Sequence, residues 1–179
     1  MTAIADDCSI DDRLRRAREG DQDAFAALIE EHQSIVYGIA WNFFGDRWRA
    51  DELAQDVFLQ LFRSIETIES NSHLVFWLRQ VTARKCIDVT RKREPRRVVS
   101  LDVVEIPVAP STSDPFLARR LRARIAKLPE MQRIALTLRY QEELGPAEIG
   151  RLLGIPENTV KSCLHRALEA LRKDFGGEK

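Results

Sequence analysis

The chain has 179 residues, 44% of them hydrophobic and 31% charged, with 28 basic residues balanced by 28 acidic ones. That is enough apolar material for one core or two modest ones, and zero net charge excludes a uniformly basic coat. The charge is unevenly spread. Asp6, Asp7, Asp11, Asp12, Asp21, Asp23, Glu30 and Glu31 crowd the front, while Arg79, Arg84, Lys85, Arg91, Lys92, Arg93, Arg96 and Arg97 crowd the middle. A local cationic patch can bind phosphate even in a neutral chain. The three cysteines, Cys8, Cys86 and Cys163, form no CxxC or Cys/His cluster, which points to reduced thiols. His32, His73 and His165 lack metal-ligand spacing. With no nucleophile–base pair, phosphate loop or metal cluster, neither an enzyme nor a cofactor is expected. No signal peptide precedes the acidic N-terminus and no apolar run nears the ~18 residues a membrane span needs, so a soluble, cytoplasmic protein is expected.

Taken in chain order, the periodicity is helical. Phe25, Leu28, Ile29, Val36, Ile39 and Phe43 make a stripe through residues 22 to 44, and Gly45-Asp46 stops it. Ala50, Leu53, Ala54, Val57, Phe58, Leu61, Phe62 and Ile65 form a second stripe. A third helix should start near Ser72, as its N-cap, and run to about Arg93 with Trp77, Leu78, Val81 and Ile87 inward. Order then breaks. Pro95, Pro107, Pro110 and Pro115 punctuate residues 94 to 115, which reads as a flexible linker.

Asp114-Pro115 restarts a helix with a cap and a Pro at its first position. Leu117, Leu121, Ile125 and Leu128 supply its stripe, and another helix carries Ile134, Ala135 and Leu138. Pro146 then opens a short helix with Ile149, Leu152 and Leu153 inward. Gly154 allows the sharp turn, since only Gly takes a left-handed conformation without steric cost. A second helix follows, with Val160, Leu164, Ala167, Leu168 and Leu171 inward. Its other face shows Asn158, Thr159, Lys161, Ser162, His165 and Arg166, all able to reach phosphates or base edges. This is the form of a DNA-binding helix-turn-helix. The expected fold is all-α: two small helical domains, 10–93 and 115–176, joined by a linker at 94–114.

Two further surfaces invite partners. Glu52, Gln55, Asp56, Leu59 and Gln60 share one strip of the second helix, and no lysine or arginine occurs between Arg49 and Arg63 to pair with it. Such a strip suits a basic partner. On the third helix and its approach, Phe76 and Trp77 sit just ahead of Arg79, Arg84, Lys85 and Arg91, the pattern of a single-stranded nucleic-acid groove, although Trp77 itself reads as core.

Gly20-Asp-Gln-Asp-Ala-Phe-Ala-Ala-Leu, His32, Val36-Tyr37, Ala50-Asp-Glu-Leu-Ala-Gln-Asp-Val-Phe, Phe76-Trp77-Leu78 and Ile87-Asp88 with Arg91 together resemble bacterial sigma factors. The ending Val160-Lys-Ser-Cys-Leu-His-Arg-Ala-Leu and the lack of extra domains make the chain similar to the extracytoplasmic function (ECF) group. The resemblance implies that Asp51, Glu52, Leu53, Gln55, Asp56 and Phe58 dock on the clamp helices of the RNA polymerase β′ subunit, with β also in contact. It implies that Ser64 to Leu74 and the following helix, through Asn71, Ser72, Arg79, Arg84, Lys85 and Arg91, open the −10 promoter element and hold its non-template strand. It further implies that Thr159, Lys161, Ser162, His165 and Arg166 read the −35 element. An anti-sigma factor is a further partner that the resemblance raises. Many relatives carry Arg where Cys163 stands and Asn near Lys85. The alternative to a sigma factor is a stand-alone helix-turn-helix regulator, although no leftover amphipathic helix offers a dimer seam.

Overall fold

The computed structural model describes the backbone of residues 3–92 and 115–176 and the side chains of residues 11–91 and 120–173. The expected linker at 94–114, with Arg93, Arg96 and Arg97 beside or within it, lies outside the described residues, as does the Asp114 cap.

An acid-rich helix that the apolar pattern did not announce, α1 (Ala3–Arg18), comes first. Leu14 and Ala17 bury its inner face. Gly20, at φ +91°, turns the chain into α2 (Gln22–Phe44). Asp21 locks that corner: its carboxylate accepts from the backbone N–H groups of Asp23 and Ala24, and from the Arg16 guanidinium at 2.6 Å. The Ala24 bond first, then Arg16, holds this carboxyl below its ordinary range. Gly45, in the left-handed region, ends α2, and Asp46 caps α3 (Arg47–Ser64) by accepting from the Arg49 N–H at 3.0 Å.

A short 3-10 turn (Ile65–Thr67) leads to α4 (Asn71–Lys92). The expected cap is Ser72, but the side chain that accepts from the helix start is Ser70, whose Oγ receives the His73 N–H. Ser72 instead stands exposed, 3.1 Å from the Ser70 hydroxyl. The Asn71 N–H donates to Asp11, tying the start of α4 back to α1. Val36, Ile39, Phe43, Ala50, Val57, Leu61, Leu74 and Leu78 form the centre of this bundle. Each large apolar side chain so buried contributes about 1.5–3 kcal/mol.

The second group comprises α5 (Pro115–Ile125), α6 (Glu130–Tyr140), α7 (Pro146–Leu153) and α8 (Glu157–Gly176). Pro146 opens α7, where its missing N–H costs nothing, and the Glu148 carboxylate accepts from the Gly145 N–H at 2.7 Å. Gly154, at φ +70°, makes the turn, and the Ile155 N–H closes on the Gly150 carbonyl. A Cβ at Gly150 would stand 2.8 Å from the Ile155 carbonyl oxygen, so the corner needs one glycine for space and the other, Gly154, for its left-handed backbone. Leu128, Leu136, Ala167 and Leu171 join α6 to α8 in a small cluster.

The two groups pack on each other. Helix α6 lies against α2 and α4, and α7 lies against α4. Ile134, Leu138, Ile149, Leu152 and Val160 are continuous with the core of the first bundle. Arg133 rivets the contact: its guanidinium donates to the carbonyls of Phe43 and Leu128 and sits 4.8 Å from the centre of the Phe43 ring.

Candidate functional site

Helix α3 turns one edge inward through Ala50, Leu53, Val57 and Leu61, which leaves Glu52, Gln55, Asp56, Leu59 and Gln60 in water. Leu53 is only 4% exposed, so of the residues that resemblance assigns to polymerase it lies beneath the surface, not on it. Asp51 is half-buried and 3.7 Å from Arg47. Asp56 faces Lys85 of α4 across 3.7 Å.

Beside the strip, α2 and α3 splay around an open groove of about 1230 Å³. Phe25, Ile29, Tyr37, Trp48, Phe58 and Phe62 line it, with Asp51, Glu52 and Gln55 on its acidic rim. Here the structure corrects the sequence reading. Phe62 was expected in the core yet is 61% exposed, meeting Phe25 edge-on at 5.3 Å. Trp48, which no periodic pattern singles out, is 87% exposed. The Tyr37 hydroxyl is buried in the groove wall with no hydrogen-bond partner among the described residues. Burial, with Asp51 adding, pushes its pKa up. The signal for this groove was present in the sequence: the α3 apolar stripe is too wide for one buried face.

Helix α4 carries the expected cations, and three of the four are paired. Arg79 donates to Glu142 at 2.8 Å, Lys85 faces Asp56, and Arg91 reaches Glu130 at 3.3 Å. Arg84 is exposed. Glu130 and Glu142 belong to the second helical group, a relationship that no local pattern could disclose. Phe76 is 40% exposed and Trp77 half-buried on the same helix.

On α8, Val160, Ala167 and Leu171 face inward, and Asn158, Thr159, Lys161, Ser162, His165 and Arg166 are all exposed. Three contacts pre-order this face. Lys161 pairs with Glu157 at 2.8 Å, the Ser162 hydroxyl donates to the Asn158 carbonyl, and His165 lies 3.7 Å from Glu169. Cys163 is a half-buried free thiol, whereas Cys86 is buried and its thiol is pushed far up by desolvation, which keeps it from forming thiolate. No group of side chains among the described residues could hold a metal ion, and no described helix is long and apolar enough to cross a membrane.

Comparison with known proteins follows this division. Residues 28–96 match Sigma-70 region 2, and residues 118–171 match Sigma-70, region 4. The ECF RNA polymerase sigma factor SigW of Bacillus subtilis (strain 168) is 30% identical over 177 residues, covering 91% of this chain and 95% of that protein. The RNA polymerase sigma factor CarQ of Myxococcus xanthus is 31% identical over 166 residues, with 91% and 95% covered. Among solved structures, CnrH in complex with the cytosolic domain of CnrY shares the fold, with a TM-score of 0.69, 19% identity, and 95% and 99% of the two chains covered. Both sigma regions in one chain set aside the reading as a stand-alone helix-turn-helix regulator. The chain belongs to the ECF RNA polymerase sigma factors, which act with core polymerase in promoter-specific transcription initiation.

Proposed function

We propose that the acidic strip of α3 and the groove beside it form the seat for the β′ clamp helices of core RNA polymerase. Charge and shape agree: exposed Glu52 and Gln55 border an apolar trough walled by Phe58 and Phe62, and exposed Asp56 extends the acidic strip away from it toward α4. A basic amphipathic helix would satisfy both, while Asp51 orients the rim and Leu53 supports it from below. The loop from Ser64 to Leu74 and the cations of α4, with Asn71 and Ser72 at its start, hold the −10 non-template strand. Thr159, Lys161, Ser162, His165 and Arg166 of α8 enter the major groove at −35. The chain adds no bond-making chemistry of its own; polymerase supplies that. It works in the cytoplasm, with β as a further polymerase contact. An anti-sigma protein is a regulatory partner on this reading, by analogy with CnrH, which was solved with the cytosolic domain of CnrY.

One observation carries the reading: α8 turns Val160, Ala167 and Leu171 into the core, with Leu164 and Leu168 partly buried beside them, and leaves Asn158, Thr159, Lys161, Ser162, His165 and Arg166 of the other face in water. The direct test adds purified protein to core polymerase on a promoter template. New transcripts from a defined start site are expected. Polymerase that neither binds the protein nor gains a start site would overturn the proposal.

A further inference from the structure

The loop between α3 and α4 is held at many points. Ile65 and Ile68 are buried on its near side and Leu74 on its far side, so residues 69–73 bridge two fixed anchors. Short bonds tie the segment to itself. The Thr67 hydroxyl donates to the Ser64 carbonyl at 2.7 Å, and the Glu69 N–H donates to His73 Nδ1 at 3.3 Å. The His73 N–H in turn donates to the Ser70 hydroxyl at 3.3 Å.

Another bond comes from a distant helix. The Asn71 N–H, at the first position of α4, donates to Asp11 Oδ1 of α1 at 3.0 Å across 60 residues of chain. Asp11 stands ahead of the segment that matches region 2. Its own footing is firm. Leu14 and Ala17 sink the next turns of α1 into the core, and α1 also touches the 3-10 turn and α4. Arg13 reaches Glu31 of α2 at 2.7 Å, and Arg16 reaches Asp21 at 2.6 Å. The carboxylate is therefore a fixed point against which the start of α4 is set.

The first N–H groups of a helix lack intrahelical partners, and a carboxylate there also suits the positive end of the helix dipole. The Asp11–Asn71 bond is exposed, so water replaces it at little cost to folding. What water does not supply is a defined place for the loop.

We propose that Asp11 is a positioning residue for base selection at −10, holding the start of α4 so that Asn71 and Ser72 meet an unpaired base in one orientation. The inference rests on the assignment of the Ser64–Leu74 loop to that strand. Hydrogen bonds weaken steeply when their angle is lost, so a loop freed from Asp11 still meets the strand but tells its bases apart poorly.

The probe is a template recovered from a randomised promoter pool by transcription with wild-type holoenzyme, together with its single-base −10 variants. The readout is discrimination: the initiation rate on the selected sequence divided by that on each variant, a ratio independent of how much protein is active. Asp11→Ala should lower discrimination at a −10 position by about five-fold or more, the lower end of what a base contact is worth. Core binding, the ranking of −35 variants and the melting temperature should stay near wild type. Asp11→Asn keeps an oxygen acceptor and should retain most of the discrimination. Asn71→Pro removes the donor and suits the first turn of a helix. Compared with Asn71→Ala, it should cost further discrimination in the wild-type background and none beside Asp11→Ala.

Equal scaling of every template by Asp11→Ala would overturn the proposal, because a merely structural loss leaves the ratios intact. So would Asp11→Asn behaving like Asp11→Ala. Equal discrimination by Asn71→Pro and Asn71→Ala would overturn it as well, and that comparison decides alone where Asp11→Ala does not fold. Unchanged discrimination in Asp11→Ala, while Ser72→Ala or Asn71→Ala alters it, removes Asp11 and leaves the −10 assignment standing. If none of these three variants alters discrimination, the −10 assignment and the role of Asp11 fall together.

Discussion

Lys85 Nζ stands 3.7 Å from Asp56 Oδ2, so the acidic strip of α3 and the basic face of α4 meet at a shared ion pair. The pair is loose. Asp56 is 61% exposed on its side chain, which leaves it open to a partner and worth little to folding. Two surfaces of opposite sign thus share an edge, and each keeps its own field.

Reversing Glu52 and Asp56 together to Lys should weaken association with core polymerase by about ten-fold or more, or ~1.4 kcal/mol per decade. Stability should change by less than about 0.5 kcal/mol, as both positions are exposed. Pull-down titration against core enzyme, beside thermal unfolding, measures the two effects. Wild-type binding by the double reversal would remove the strip from the interface.

The helix-turn-helix corner should fail at Gly150 before it fails elsewhere. An added Cβ would meet the Ile155 carbonyl at 2.8 Å, backbone against side chain, with no flexible group to yield. Gly150→Ala should cost about 1–3 kcal/mol, as overpacking does, and lower the melting temperature by roughly 2–4 °C per kcal/mol. Gly38→Ala is the contrast. Its Cβ meets the flexible Gln141 side chain at 3.3 Å within α2, and the better helix propensity offsets that contact. Calorimetry on both variants decides, and equal melting temperatures would contradict the clash.

How much of this was legible beforehand depended on range. Local chemistry read well: Gly45, Gly154 and Pro146 lie where turn and cap rules put them. Helix α1 escaped notice because acids and arginines dilute its apolar residues, leaving Leu14 and Ala17 as its main buried contacts in the described part. Ser70 and Ser72 both suit a cap, and only geometry separates them. Phe62 and Phe25 satisfy a helical stripe yet line a groove, since periodicity reports a face and not what covers it. Glu142 was invisible as a partner of Arg79 because 63 residues intervene.

His32 gives the protein a mild acid sensitivity. It is 5% exposed, its Nε2 has no partner among the described residues, and burial lowers its pKa from the ordinary 6.5. Glu31 raises it and Arg13 lowers it, both less than burial does. A depressed histidine pKa means that the unfolded chain binds the proton more readily. The corresponding stability is present above about pH 6.5 and is lost as pH falls below it. Urea unfolding at pH 7.5 and 5.5 should show a drop in midpoint for wild type and a smaller one for His32→Leu. Parallel drops would exclude His32 as the source.

His165 should choose bases and not merely add affinity. It stands exposed beside Ser162 on α8, with Glu169 at 3.7 Å to orient its ring. His165→Ala should change the ranking of a panel of −35 variants, with about 1–3 kcal/mol lost at the position it reads. Lys161→Ala and Arg166→Ala should instead weaken all of them alike and flatten the salt dependence. A preserved ranking in the His165 variant would make it a positioning residue.

Trp48 has one more consequence. The chain has three tryptophans, and this indole is 87% exposed whereas Trp41 and Trp77 are half-buried. An occupant of the groove would carry that ring from water into an apolar contact, so its emission would move to the blue and its quenching by iodide would fall. The protein therefore carries its own unlabelled optical gauge of whether the groove is filled, at the place where Phe58 and Phe62 wait for a neighbour.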